Sequence, residues 1–129
     1  MQAPVDRALL SDFFDRYGVA LTTGDIAAVA GCYALPGMVV ADSYSFTFTS
    51  PAVVALSFLG AAPSYRDQRI VAANAEFLDV RQLSEALTLV AVQWEYLDSD
   101  GQALTGERFH YLLRTDSSGP RITAVVATH

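Results

Sequence analysis

A chain of 129 residues with a hydrophobic fraction of 52% and a formal net charge of −6 has apolar material to spare and little cationic surface. Its eight basic residues are all arginine, scattered from Arg7 to Arg121 without a basic run, which argues against nucleic acid as a partner. No apolar stretch approaches the roughly 18 residues of a membrane-spanning helix, so no membrane association is expected.

The segment Met1–Arg7 lacks the basic-then-apolar pattern of a signal peptide, and the single cysteine, Cys32, makes no internal disulfide; the expected compartment is the cytoplasm. The length suits one domain, 1–129. Charged residues make up 17%, below the roughly 25% usual for globular domains. The apolar surplus needs a sink, which an internal cavity, an oligomer interface or both would supply.

From Val5 to Thr22 the apolar residues Leu9, Leu10, Phe13, Phe14, Tyr17 and Leu21 recur at helical spacing. Gly24 is suited to end this helix, and Asp25 to cap a short second one from Ile26 to about Tyr33. Leu35-Pro36-Gly37 breaks it. Met38–Thr49 reads as a β-hairpin with its turn near Asp42-Ser43, and Ser50-Pro51 starts a third helix that runs to about Leu59, with Gly60 as its stop. Four long strands follow: Arg69–Asp79, Glu85–Leu97, Glu107–Thr115 and Arg121–Thr128, the last pairs joined by Asp98-Ser99-Asp100-Gly101 and Asp116-Ser117-Ser118-Gly119. The order is α-α-β-β-α-β-β-β-β. Helices that precede a run of antiparallel strands indicate an α+β fold, here three helices packed on a strongly curved sheet around an apolar pocket.

The string Asp15-Arg16-Tyr17-Gly18-Val19-Ala20-Leu21-Thr22-Thr23-Gly24-Asp25-Ile26 resembles the end of the first helix in the nuclear transport factor 2-like (SnoaL-like) superfamily. Tyr111-Leu112-Leu113-Arg114-Thr115 and Gly119-Pro120-Arg121-Ile122 resemble its late strands, so the likeness spans almost the whole chain. That superfamily hosts isomerases, dehydratases, cyclases, epoxide hydrolases and binding modules, so the resemblance implies a fold before it implies a reaction. Within it, ketosteroid isomerase is the nearest match at the pocket. The resemblance places Tyr17 at that enzyme's hydrogen-bonding tyrosine and Asp42 at its general base, with one residue inserted around Leu35-Pro36-Gly37. Its second oxyanion donor, an acid, falls near His110, with Glu107 close by.

Each candidate has two readings. Asp42 is either a base in a desolvated pocket or a turn aspartate bonding its own backbone. Tyr17 either packs with its helical stripe or donates to a ligand oxygen. His110 shares a strand face with Arg108 and Leu112, opposite Phe109, Tyr111 and Leu113, and period alone does not say which face lines the hollow. Phe13, Phe14, Leu21 and Trp94 are the expected apolar ligand contacts, although Trp94 equally suits core or interface. Asn74 and Glu76 read as solvated sheet positions, and Cys32 as a small hydrophobe. Metal-ligand spacing and phosphate-binding glycine loops are absent, so neither metal nor cofactor is expected.

Two functions follow. One is a cofactor-independent isomerase, cyclase or lyase that takes a proton next to a carbonyl of a small, largely apolar molecule, using Asp42, Tyr17 and His110. The other is a non-catalytic ligand-binding or dimerisation module. Both call for a homodimer, because apolar residues occupy both faces of the strands Glu85–Leu97 and Glu107–Thr115.

Overall fold

The computed structural model describes residues 6–59 and 61–127. The expected helix start at Val5, the stop at Gly60 and the strand end at Thr128 lie outside them. Helix α1 (Arg7–Thr23) is capped by Asp6, whose carboxylate accepts from the Leu9 amide at 3.1 Å, and it ends at Gly24 in the left-handed region (φ 74°). Asp25 then caps α2 (Ile26–Gly31) by accepting from the Ala28 amide, and Ser50 caps α3 (Pro51–Phe58) by accepting from the Val53 amide. A seven-residue helix, α4 (Ala61–Asp67), follows; its Ala-Ala-Pro-Ser start carries little apolar periodicity, and the sequence reading left it out.

The six strands are β1 (Tyr33–Val40), β2 (Ser45–Phe48), β3 (Ala72–Gln82), β4 (Leu87–Leu97), β5 (Ala103–Asp116) and β6 (Gly119–Ala127), in the spatial order β2-β1-β6-β5-β4-β3. All neighbours are antiparallel except β1 and β6, which run parallel, so the sheet is mixed where the sequence indicated antiparallel pairing throughout. The late meander β3 to β6 keeps the expected antiparallel order. Strand β1 also starts earlier than expected: Leu35-Pro36-Gly37 stays within the strand, at the register shift against β6, and does not separate helix from hairpin.

Register shifts bend the sheet at Phe77/Asp79, Trp94/Tyr96 and Leu112/Leu113, where one extra residue lets a strand curl. The concave face carries Val90, Val92, Trp94, Tyr96, Tyr111, Leu113, Ile122 and Val125, all buried. Helix α1 lies on that face. Phe14 is fully buried, with its ring centroid 5.7 Å from Phe77, 6.2 Å from Trp94 and 5.0 Å from Tyr111. Burying such a side chain is worth roughly 1.5–3 kcal/mol.

The bulge between β4 and β5 depends on Gly106, where an added Cβ would run into the backbone carbonyl of Trp94. The Gln93 side chain nearby could swing aside, but the Trp94 carbonyl is backbone and cannot. Gly106→Ala is therefore expected to lower unfolding free energy by at least ~2 kcal/mol in urea titration; a change under about 0.5 kcal/mol would show that the sheet does not need this close approach.

Candidate functional site

Between the helices and the curved sheet lies a hollow of about 200 Å³ lined by Tyr17, Leu21, Tyr33, Val39, Phe58, Tyr65, Trp94, Tyr96, Glu107, Phe109, Tyr111 and Val125. Its walls are apolar carbon and phenol, with Glu107 as their one carboxylate. Alternation along β5 sends Glu107, Phe109 and Tyr111 inward, and the α1 period brings Tyr17 and Leu21 to the same space.

The phenols are paired. Tyr17 and Tyr33 share a hydrogen bond of 2.7 Å, Trp94 Nε1 donates to the Tyr111 hydroxyl at 2.8 Å, and the Tyr96 hydroxyl donates to Glu107 Oε1 at 3.2 Å. The Tyr65 ring sits 5.8 Å from that of Tyr96. A phenol carries one proton. In the first pair one proton is used and the other has no acceptor among the described residues. Tyr111 accepts from Trp94, so its own proton is likewise unclaimed there. With the Tyr17 and Tyr111 ring centroids 6.2 Å apart, two unused O–H donors border one apolar space. This is a site shaped to receive a hydrogen-bond acceptor.

Of the residues singled out from sequence, the fold brings Tyr17, Leu21 and Trp94 to the hollow. Phe13 and Phe14 are buried but do not line it: they lie one helical turn before Tyr17, where Phe13 stacks on Tyr17 and Phe14 fills the space over β3, β4 and β5. Asp42 is exposed in the loop joining β1 to β2, which is closed by the Ala41 amide bonding the Tyr44 carbonyl at 2.8 Å. Asp42 thus sits in a turn, its carboxylate accepting no backbone hydrogen bond among the described residues, and no part of it reaches the hollow wall. His110 sits on the convex face between Ala91 of β4 and Val126 of β6, opposite the hollow, with Nδ1 buried and without a hydrogen-bond partner. Asn74 and Glu76 are exposed on β3. Cys32 is buried, and that burial pushes its thiol up. The reading missed Tyr33, Tyr65 and Tyr96; the signal available was the number of tyrosines, six in the chain.

Burial raises the phenols of Tyr17, Tyr33 and Tyr111 well above their ordinary value, and their mutual repulsion as anions pushes Tyr17 and Tyr111 further. At neutral pH they are fixed donors. A raised folded pKa means stability is complete below the unfolded value near 10 and falls as pH rises past it, because the unfolded chain gives up its protons first. Three such groups together predict a loss of about 4 kcal/mol per pH unit beyond that point. Urea midpoints measured from pH 8 to 11 should be flat and then drop steeply; a flat profile to pH 11 would mean these phenols ionise freely in the folded chain.

The comparisons agree with this architecture. No curated protein matches the chain. Among solved structures, an NTF-2-like protein of unknown function from Shewanella oneidensis MR-1 is 13% identical over 95% of this chain and 98% of that one, with a TM-score of 0.69. A cystatin-like-fold protein of unknown function from Nostoc punctiforme is 8% identical over 98% and 93%, with a TM-score of 0.70. A ketosteroid isomerase-like protein from Erwinia carotovora atroseptica is 17% identical over 95% of each chain, with a TM-score of 0.61. At these identities the likeness is one of fold. The family model described as NTF2-like protein (DUF6841) matches residues 7–129, and the chain belongs to that family.

Proposed function

We propose that the hollow binds a compact, largely apolar ring compound through a carbonyl oxygen that accepts from Tyr111 and from the Tyr17–Tyr33 pair. The observation that carries this reading is the pair of phenolic protons left without acceptors beside an apolar space. A cavity of about 150 Å³ is enough for benzene, and drug-sized sites run from roughly 300 Å³ upward. At about 200 Å³ the hollow takes one substituted ring, not a fused four-ring skeleton.

Acetophenone is the natural probe. Its binding, followed by Trp94 fluorescence and by calorimetry, should weaken about 3–10-fold in Tyr17→Phe and in Tyr111→Phe, the effect of removing one hydrogen bond. Tyr111→Phe should also cost stability of about 1–3 kcal/mol, because it leaves Trp94 Nε1 buried without an acceptor. Equal affinity in wild type and both variants would remove the phenols from recognition.

Catalysis by proton abstraction is the second reading, and the position of Glu107 favours it. Glu107 lines the hollow and is oriented by Tyr96, so its carboxylate can take a proton from the carbon next to the bound carbonyl while the phenols hold the enolate oxygen. Asp42 and His110 have no part in this version. In D2O the protein should accelerate exchange of the acetophenone methyl protons, and Glu107→Gln should return the rate to that of buffer. Wild-type exchange no faster than buffer would leave the binding-module reading in place.

A second copy of the chain is the proposed partner, seated on the convex face. Val40, Leu89, Leu112 and Ala124 share that face with Met38 (41% exposed) and Val126 (36% exposed), around the unpartnered His110 Nδ1. Sedimentation at micromolar concentration should show a dimer that Val126→Arg dissociates without loss of acetophenone binding. A wild-type monomer at that concentration would refute it.

A further inference from the structure

We infer that the hollow is the inner half of a longer site: it continues into the surface groove between the β1–β2 hairpin and α3, and its ligand is a ring carbonyl compound bearing an alkyl chain, with the ring inside and the chain in the groove. This rests on the carbonyl-binding reading of the hollow. The groove, about 670 Å³, is lined by Val39, Tyr44, Ser45, Phe46, Phe48, Ser57 and Phe58. Val39 and Phe58 are also walls of the hollow. Two side chains thus separate the buried space from the surface one.

Phe58 is the movable partition. It is only half-buried at the C-terminal end of α3, and its ring centroid lies 5.8 Å from Tyr33 and 6.4 Å from Phe48. Rotation about its side-chain bonds joins the two spaces without moving backbone. Val39 stands opposite on β1, fixed by pairing with Phe46 on one side and Val125 on the other.

The chemistry of the groove selects its occupant. Among the described residues no charged side chain lines it, so a peptide terminus, phosphate or ammonium group would meet no counter-charge from them. Tyr44 is 60% exposed and Phe46 44%, two large aromatic side chains held open to water along one wall. Such adjacent apolar exposure marks a surface that is covered in use. The hollow, filled by one ring, has no room for more, and the groove's hydroxyls, on Tyr44, Ser45 and Ser57, belong to exposed residues where water competes for them. A para-substituted ring whose carbonyl faces Tyr111 sends its substituent outward past Phe58.

The experiment compares acetophenone, 4-butylacetophenone and 4-octylacetophenone on the full chain. Each buried methylene should tighten binding about 2–4-fold, making the octyl compound at least ~50-fold tighter than acetophenone. Phe46→Ser, which removes a groove wall, and Ser57→Trp, which fills the groove from the exposed face of α3, should each cut that advantage below about 5-fold while acetophenone affinity stays within about 2-fold. Acetophenone binding that depends on Tyr111 but gains nothing from the chain would overturn the extended site and leave the hollow reading standing. An octyl gain indifferent to Phe46→Ser and Ser57→Trp would place the chain elsewhere and overturn it too. Self-association lost in Phe46→Ser, with no octyl gain, would assign the groove to a second copy. Absence of binding by all three compounds would sink both readings together.

Discussion

The seating of Phe14 against the concave face of the sheet is the contact on which the rest of the molecule depends. Its ring meets Phe77 of β3, Trp94 of β4 and Tyr111 of β5, so one residue of α1 ties together three strands. The bulges at Phe77/Asp79, Trp94/Tyr96 and Leu112/Leu113 curve those strands away from a straight helix. Helix α1 touches the sheet closely along one side, at Phe14 and at Gly18, where an added Cβ would come within 3.1 Å of both the Ala73 carbonyl oxygen and the Trp94 ring. On the neighbouring side, at Tyr17 and Leu21, the hollow opens.

What fills the walls of that gap follows from the cost of buried polar atoms. A phenol taken out of water without a partner loses on the order of 1–3 kcal/mol, so the fully buried hydroxyls of Tyr17, Tyr33 and Tyr111 each have a neighbour as partner. Tyr17 with Tyr33, Trp94 with Tyr111 and Tyr96 with Glu107 meet that demand between different elements, 16, 17 and 11 residues apart in the chain. The pairing also fixes the fold: each bond couples a helix to a strand or one strand to the next. Yet pairs of donors cannot satisfy one another fully. The leftover protons are a consequence of using phenols where an alkyl wall would have served stability as well, and that surplus is what supports the proposal of ligand binding at the hollow.

Much of the architecture was legible from residues taken singly. Gly24, Asp25 and Ser50-Pro51 act through local backbone geometry, so their roles as stops and caps can be read without knowing the fold. The α1 stripe fixes one buried face by its own period, which marks Phe13, Phe14, Tyr17 and Leu21 as inward-facing without saying which turn borders the hollow; Tyr17 and Leu21 line it, Phe13 and Phe14 do not, and Trp94 reaches it from β4. Strands are less informative. On β5 both parities carry large apolar side chains, so Tyr111 and His110 were equivalent by pattern, and only the position of α1 decides that Tyr111 faces in and His110 out. The parallel pairing of β1 with β6 involves residues about 90 apart in sequence, and no local signal encodes it. Asp42 carried a resemblance that its own turn chemistry opposed. Its neighbours Ala41 and Tyr44 close the turn by backbone bonding, and the local term won.

The balance of groups around the hollow also limits what chemistry it can host. Its donors stay protonated through the physiological range because burial raises them, so in the proposed enolisation they would stabilise an oxyanion without themselves serving as acids. In that proposal proton traffic falls to Glu107, a carboxylate whose partner is another phenol and which stands at the solvent side of the wall. A carboxylate so placed can remove a proton from an activated carbon and return it, and it can exchange that proton with water between the two events. Among the described residues that line the hollow there is no second carboxylate or histidine to hand the proton across a ring face. Reactions that require proton transfer between distant carbons on one bound molecule therefore ask more of this site than enolisation at a single position does. The hollow is consistent with recognition of a ketone or with its enolisation, and the exposed face of Glu107 is what connects either one to solvent.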